Sequence, residues 1–281
     1  MIGHRQGTLK SADLKLYFQH WYPQNHTKAI LTIVPGVGGH CGLYEHIVQT
    51  LVPHNYAIYS FDLRGNGRSE GQRGYINRWQ EFRDDLATFL QWITKQAPHC
   101  PIFLLGQSLG GLIVLDYVLR NPATMSQIQG VIALSPALGQ VGVSPLKIAV
   151  GQLLSRLCPR FRLHSGIPLS AASRDPVALA TDAQDPLRHD WVTARLATEF
   201  LATIEQVQNH ADQWACPLLI LHGEADRVTL PEGSRQFFDA VPFSDKEKKE
   251  YPGAYHELQN DLNYLTVIAD LEDWLERHLS H

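Results

Sequence analysis

Pro101 to Tyr117 reads PIFLLGQSLGGLIVLDY, and two periodicities meet inside it. Ile102 to Leu105 is a short apolar run bounded by Pro101 and Gly106, the pattern of a fully buried strand. From Leu109 the apolar residues Leu112, Ile113, Leu115, Tyr117 and Val118 fall at helical spacing. Between strand and helix stands Gly106-Gln107-Ser108-Leu109-Gly110, the G-x-S-x-G pattern of a nucleophile elbow. A serine on so sharp a turn takes a strained backbone conformation, and bare flanking positions let the two elements pass closely. The same turn aims the amide of Leu109 at the site, from the positive end of the following helix. A glycine-rich turn with an idle serine has the same letters, so partners elsewhere must decide.

Outward from this stretch, short apolar strands alternate with helices. Toward the N-terminus, strands are expected at Gln6 to Lys10, Leu14 to His20, Ala29 to Val34 and Tyr56 to Phe61. A helix is expected from about Tyr44 to Leu51, ended by Pro53. A long amphipathic helix capped by Asn77 runs to about Gln96, with Trp79, Phe82, Leu86, Phe89, Leu90 and Ile93 on one face. Toward the C-terminus, strands recur at Val131 to Leu134, Leu218 to Leu221 and Lys249 to Tyr251, with helices at Glu232 to Ala240 and Leu262 to Leu279. Such alternation means a mostly parallel central sheet flanked by helices. Residues 137–212 break the pattern, with helical periodicity at Pro145 to Leu157 and Trp191 to about His210 and no strand. The expected organisation is a core over 1–136 and 213–281, interrupted by a helical cap or lid insertion over 137–212.

Composition sets outer bounds. A chain of 281 residues, 44% hydrophobic and 19% charged, has the make-up of an ordinary globular protein with ample material for a core. A net charge of −4 provides no electrostatic footprint for nucleic acid. The mixed run Lys246-Glu247-Lys248-Lys249-Glu250 reads as a solvated loop. Cys41, Cys100, Cys158 and Cys216 are scattered with no C-x-x-C pair, which argues against a zinc site or disulfide framework and suits a reducing compartment. No signal-peptide core and no stretch approaching 18 apolar residues is present, so the expected location is the cytoplasm.

A serine hydroxyl needs a base, and the base needs an anionic orienter. In an open parallel sheet such groups collect beyond the carboxyl ends of the strands. After Leu218 to Leu221 comes His222-Gly223-Glu224-Ala225-Asp226-Arg227, and after Tyr251 comes Pro252-Gly253-Ala254-Tyr255-His256-Glu257. Ser108, Asp226 and His256 are therefore candidates in the required chain order. With 14 histidines in the chain, His256 alone is unremarkable; Glu224 and Asp62 compete for the acid's role, and His222 lies near Asp226. The glycine-rich Pro35-Gly36-Val37-Gly38-Gly39 follows a strand and supplies Val37 as a second oxyanion donor beside Leu109. A phosphate-cradling role for it has no support, since neither G-x-G-x-x-G nor a Walker lysine is present.

The segments PGVGGHCGLYEHI, FDLRGNGRSEG, GQSLGG, LHGEADRVT, the His256 loop and DPLRHDWVTARLATEF together span nearly the whole chain. In them the chain resembles the monoacylglycerol lipase and lysophospholipase branch of the α/β-hydrolase superfamily. The resemblance implies the α/β-hydrolase fold, Ser108, Asp226 and His256 as triad, Val37 and Leu109 as oxyanion amides, and a helical cap over an apolar acyl pocket. Two departures stand out: Pro35-Gly36 where the family has His-Gly, and Gln107 where it often has histidine. Neither removes a backbone donor, so substrate preference is what they put in question.

The expected activity is hydrolysis of carboxylic esters of lipids through an acyl-enzyme, with a small-molecule acyl ester as substrate and no metal or organic cofactor implied. A small-ester esterase, a thioesterase, a C–C or peptide-bond hydrolase of the same fold, and a silent ligand-binding relative are the alternatives. The apolar residues Leu146, Ile148, Val150, Leu153, Leu154 and Leu157 fit either an acyl site with transient membrane contact or simple packing on the sheet.

Overall fold

Ala29–Val34 (β3), Tyr56–Phe61 (β4), Ile102–Gln107 (β5) and Leu218–Gly223 (β9) are six-residue strands buried at every position, as is the five-residue Gly130–Leu134 (β6). Apolar runs of this kind make the centre of a sheet covered on both faces. The computed structural model describes residues 1–125, 127–139 and 145–279. The remaining sheet strands are Gly3–Ser11 (β1), Leu14–Tyr22 (β2) and Lys246–Tyr251 (β10). Eight strands lie in the order β1-β2-β4-β3-β5-β6-β9-β10. β1, β2 and β4 are joined antiparallel and every other pairing is parallel.

The period-2 alternation of each strand splits its residues between two cores. On one face Leu31, Ile33, Phe103, Leu105 and Leu219 meet Glu45–Leu51 (α1) and Tyr264–Arg277 (α9). On the other, Ile30, Val34, Leu104, Val131 and Ile220 meet Gln80–Gln96 (α2), Leu109–Arg120 (α3) and Pro231–Ala240 (α8). A short helix, Pro122–Met125 (α4), follows α3.

Between β6 and β9 the chain forms Pro145–Leu157 (α5), Arg162–His164 (β7), Pro176–Gln184 (α6), Trp191–Thr193 (β8) and Ala194–Asn209 (α7). The expectation of no strand here is corrected: β7 and β8 pair antiparallel in a sheet of their own, each too short to carry a period-2 signal. Helix α6 emerges from the Ser/Pro/Asp-rich stretch because Asp175 caps it through the Val177 amide and Pro176 occupies its first turn. Leu196, Ile204 and Val207 anchor α7 in the core beneath.

Three further expectations change. The long helix starts at Gln80, not after Asn77; the Asn77 amide is instead bound by Glu81 reaching back. Pro53 sits inside a 3₁₀ turn, and Asn55 at φ 70° ends the helical run. Lys246–Glu250 belongs to edge strand β10, not a loop; its alternating charges suit a sheet edge open to water.

Candidate active site

The elbow has the geometry its sequence requires. Ser108 holds φ 56° and ψ −119°, a strained conformation for a non-glycine residue, at the junction of β5 and α3. A Cβ on Gly106 would lie 2.3 Å from the Gly110 carbonyl oxygen, and one on Gly110 would lie 2.0 Å from that of Val34. The turn closes only with bare positions on both sides of the serine. Leu109 is the first residue of α3, so its N–H is among those a helix leaves unpaired. Gly36 and Val37, from the loop after β3, line the same cavity as Ser108.

His256 also lines that cavity, and Asp226 stands behind it. His256 Nδ1–H donates to Asp226 Oδ2 at 2.7 Å, with both residues buried. The second carboxylate oxygen, Oδ1, accepts the Val228 and Thr229 amides at 2.7 and 3.0 Å. Burial pushes the Asp226 carboxyl up, but the two histidines His256 and His222 outweigh it and hold the group far below the usual carboxylate range. With Nδ1 protonated, His256 Nε2 presents a lone pair to the cavity, and the Gln107 carboxamide donates toward it at 3.4 Å.

The competitors of Asp226 lie elsewhere. Asp62 accepts the amides of Cys41 at 2.8 Å and Arg68 at 2.7 Å, shaping the loop after β4. Glu224 is exposed. Cys41 is buried, and burial with the nearby Asp62 charge pushes its thiol well above the ordinary range, which fits an inert packed thiol.

The cavity, about 380 Å³, is closed on its far side by the segment between β6 and β9. Ile167, Pro168, Leu169 and Val192 give it an apolar wall, while Asp182, Asp185, Arg188 and Asp190 give it a polar one. That segment is tied to the core. His189 N–H donates to Gly38 O at 3.2 Å, and His189 Nε2–H to Asn66 Oδ1 at 2.6 Å. His40 and Asp185 meet at 2.7 Å. Arg188 lies 2.7 Å from Glu257, the neighbour of His256, and 2.6 Å from Asp182. The Glu257 amide donates to Ala172 O at 2.7 Å. Burial and the Arg73 charge lower the His189 imidazole to about 4. Sequence reasoning missed Asp182, Arg188, His189 and Glu257; the signal available was the dense run Asp185 to Asp190 inside an otherwise helical segment.

Helix α5 departs from simple packing on the sheet. Leu146, Val150, Leu153 and Leu157, one helical stripe, are 75, 49, 57 and 71% exposed. No helix among the described residues is long and apolar enough to cross a membrane.

Comparison with known proteins gives a consistent picture. The family model described as serine aminopeptidase, S33, matches residues 25–263. A monoacylglycerol lipase of Mycolicibacterium smegmatis is 31% identical over 95% of this chain and 94% of its own. The crystal structure of the Paleococcus ferrophilus monoacylglycerol lipase superposes with a TM-score of 0.85 at 30% identity, covering 94% of this chain and 99% of that one. A soluble variant of the Saccharomyces cerevisiae monoglyceride lipase, in complex with a substrate analogue, superposes with a TM-score of 0.88 at 24% identity, over 98% of this chain and 96% of that one. The fold is the α/β-hydrolase fold.

Proposed function

The chain belongs to the serine aminopeptidase S33 family, and from that premise we propose that it hydrolyses monoacyl esters of glycerol with Ser108, Asp226 and His256 as its triad. The observation that carries this reading is the buried 2.7 Å bond from His256 to Asp226 behind a cavity that also exposes the strained elbow serine. The similarity to monoacylglycerol lipases supports the ester and its lipid character.

In acylation, His256 Nε2 takes the Ser108 Oγ proton as Oγ bonds to the acyl carbonyl carbon. The carbonyl oxygen becomes an oxyanion received by the Val37 and Leu109 amides. Collapse breaks the bond to the alcohol oxygen, which leaves with the proton that His256 returns. Water, deprotonated by His256, then attacks the acyl-Ser108 carbonyl and releases the fatty acid. Asp226 holds Nδ1–H in place and stabilises the imidazolium at each stage.

The charge on the cavity wall favours an uncharged alcohol. Asp182, Asp185, Asp190 and Glu257 line it, and the Arg188 guanidinium is already shared by two of them. Glyceryl hydroxyls donate to carboxylates, whereas a phosphate is repelled by them. Residues 137–212 act as the cap, and the exposed α5 stripe rests on a lipid surface while substrate enters.

The test is hydrolysis of acetyl-to-palmitoyl p-nitrophenyl esters, monooleoylglycerol and lysophosphatidylcholine by wild type and Ser108→Ala. Rates rising toward medium or long chains, preference for the glyceryl ester, and loss in the variant are expected. Activity confined to acetyl and butyryl esters makes the protein a small-ester esterase; preference for the lysophospholipid overturns the charge argument. No activity on any ester puts a silent binder first.

A further inference from the structure

His222, at the carboxyl end of β9, is fully buried and takes no part in the steps above. Its Nε2 lies 2.8 Å from the Thr229 carbonyl oxygen and 3.2 Å from Asp226 Oδ2. Both of those oxygens only accept, so Nε2 is the protonated nitrogen. In the neutral ring Nδ1 is then an acceptor, and the Ser234 hydroxyl, 2.8 Å away, donates to it. Ser234 belongs to α8 and is itself buried. Asp226 is thus approached by two imidazoles on the same carboxylate oxygen: His256 at 2.7 Å from the cavity side and His222 at 3.2 Å from beneath.

We propose that His222 is a positioning residue for the reaction, and that Ser234–His222–Asp226–His256 is one hydrogen-bonded chain reaching from α8 to the base. The proposal rests on the triad reading above. Hydrogen bonds on one carboxylate oxygen limit rotation about the Cβ–Cγ bond, and a further donor on the other oxygen narrows that rotation and shares its charge. Val228 and Thr229 amides fix Oδ1, and the Thr229 hydroxyl, 3.0 Å from Oδ2, is also 3.1 Å from Ser135 O, with one proton to give. His222 supplies Oδ2 with a donor that ring burial keeps in place. It thereby holds the carboxylate plane toward His256 Nδ1 and shares the negative charge of a buried carboxylate. Ser234 orients the ring so that Nε2–H, and not Nδ1, faces the carboxylate.

Groups that orient the ligands of a metal are worth roughly 10–100-fold in activity, and a loss on the same order is expected for a group that orients the orienter of a base. The test compares His222→Phe, which keeps a ring and loses both nitrogens, His222→Gln, whose carboxamide restores an N–H donor, Ser234→Ala, and Asp226→Asn alone and combined with His222→Phe. Steady-state kinetics on one ester are read with thermal melting of each variant. Expected are a kcat about 10–100-fold lower in His222→Phe with KM within about 3-fold, recovery to within about 5-fold of wild type in His222→Gln, and an intermediate kcat in Ser234→Ala. In the Asp226→Asn background, His222→Phe adds less than about 3-fold, because the group it positions is gone. An unchanged kcat with a lowered melting temperature overturns the proposal, as does a loss confined to KM or losses that multiply in full. Should His222→Phe fail to accumulate, Ser234→Ala and His222→Gln decide: equal kcat losses in both, without recovery by glutamine, refute it. Asp226→Asn alone tests the premise, since a fully active Asp226→Asn removes the triad reading itself.

Discussion

Replacing Arg188 by methionine keeps most of the aliphatic volume and removes the cation facing Glu257 and Asp182. Glu257 is 6% exposed. Burial pushes its carboxyl up, but Arg188's charge and hydrogen bond, with His256, prevail and leave it below the usual range. Asp182 goes the other way: burial and the Glu257 charge outweigh Arg188 and raise it. The guanidinium therefore serves Glu257 first. Removing one member of a buried pair costs about 3–5 kcal/mol, and the 19% exposure of the Arg188 side chain argues for the lower end. With about 2.1 cal/mol/K of unfolding entropy per residue over 281 residues, about 3 kcal/mol lowers Tm by roughly 5 °C.

The pH dependence gives the sign. In wild type the lowered Glu257 group contributes stability above its unfolded value near 4.3, lost as pH falls through the folded value. In Arg188→Met burial is opposed only by His256 and the Asn260 hydrogen bond, so the ionised carboxylate is penalised at pH 7 and protonation relieves it. The Tm gap between variant and wild type therefore narrows from pH 7 to pH 5, and Arg188→Met/Glu257→Gln melts above Arg188→Met at pH 7. Calorimetry of the three proteins at both pH values is the assay. A gap below about 2 °C at pH 7, or one that does not change with pH, refutes the reasoning.

Gly110→Ala sets a methyl 2.0 Å from Val34 O, so the elbow must open; soluble protein should react with a fluorophosphonate at Ser108 at least about 10-fold more slowly, and an unaltered rate contradicts the close-packing account. His189, lowered to about 4 from about 6.5, binds its extra proton in the unfolded chain first, so its contribution is complete above pH 6.5 and declines toward pH 4. Urea midpoints from pH 7.5 to 4.5 should therefore fall less steeply in His189→Gln, and equal slopes dispose of the claim. Glutamate at Leu153 and Leu157 should lower sedimentation with phosphatidylcholine vesicles several-fold while hydrolysis of a soluble ester persists; unchanged sedimentation removes α5 from the lipid contact.

The core was legible because strand and helix there have opposite periodicities and full burial. Ile102 to Leu105 can be nothing but a buried strand between Pro101 and Gly106, and the two glycines of the elbow mark where side chains do not fit. Ser108, Asp226 and His256 could be nominated because the parallel sheet dictates which loops converge; the structure bonds His256 to Asp226 across 30 residues and sets Ser108 and His256 on one cavity. The segment between β6 and β9 resisted for the opposite reason. Three-residue strands have no period, and Asp175, a local cap, outweighs the poor helix signal of Pro176–Gln184. Asn77 misled because a cap is legible only as a residue type, while the bond that forms, from the Asn77 amide to the Glu81 carboxylate, depends on a side chain one turn away.

The polar residues missed in that segment share a physical character that explains both their silence and their use. Arg188, Asp182, His189 and Asp185 look like a solvated charge run along the chain, and only the fold shows Arg188, His189 and Asp185 facing core partners, with Asp182 held by Arg188. Their partners, Glu257, Asn66 and His40, stand one residue from His256 or in the loops that shape the cavity. The opposite side of the segment, α5, has its apolar stripe in solvent. In the proposed reading the segment is held by its polar contacts at one end and meets the lipid with its apolar stripe at the other. Under the proposed function, the acyl chain enters from that end with the ester carbonyl led toward Ser108, while Arg188 and the Ala172 carbonyl hold Glu257, the neighbour of His256, in place.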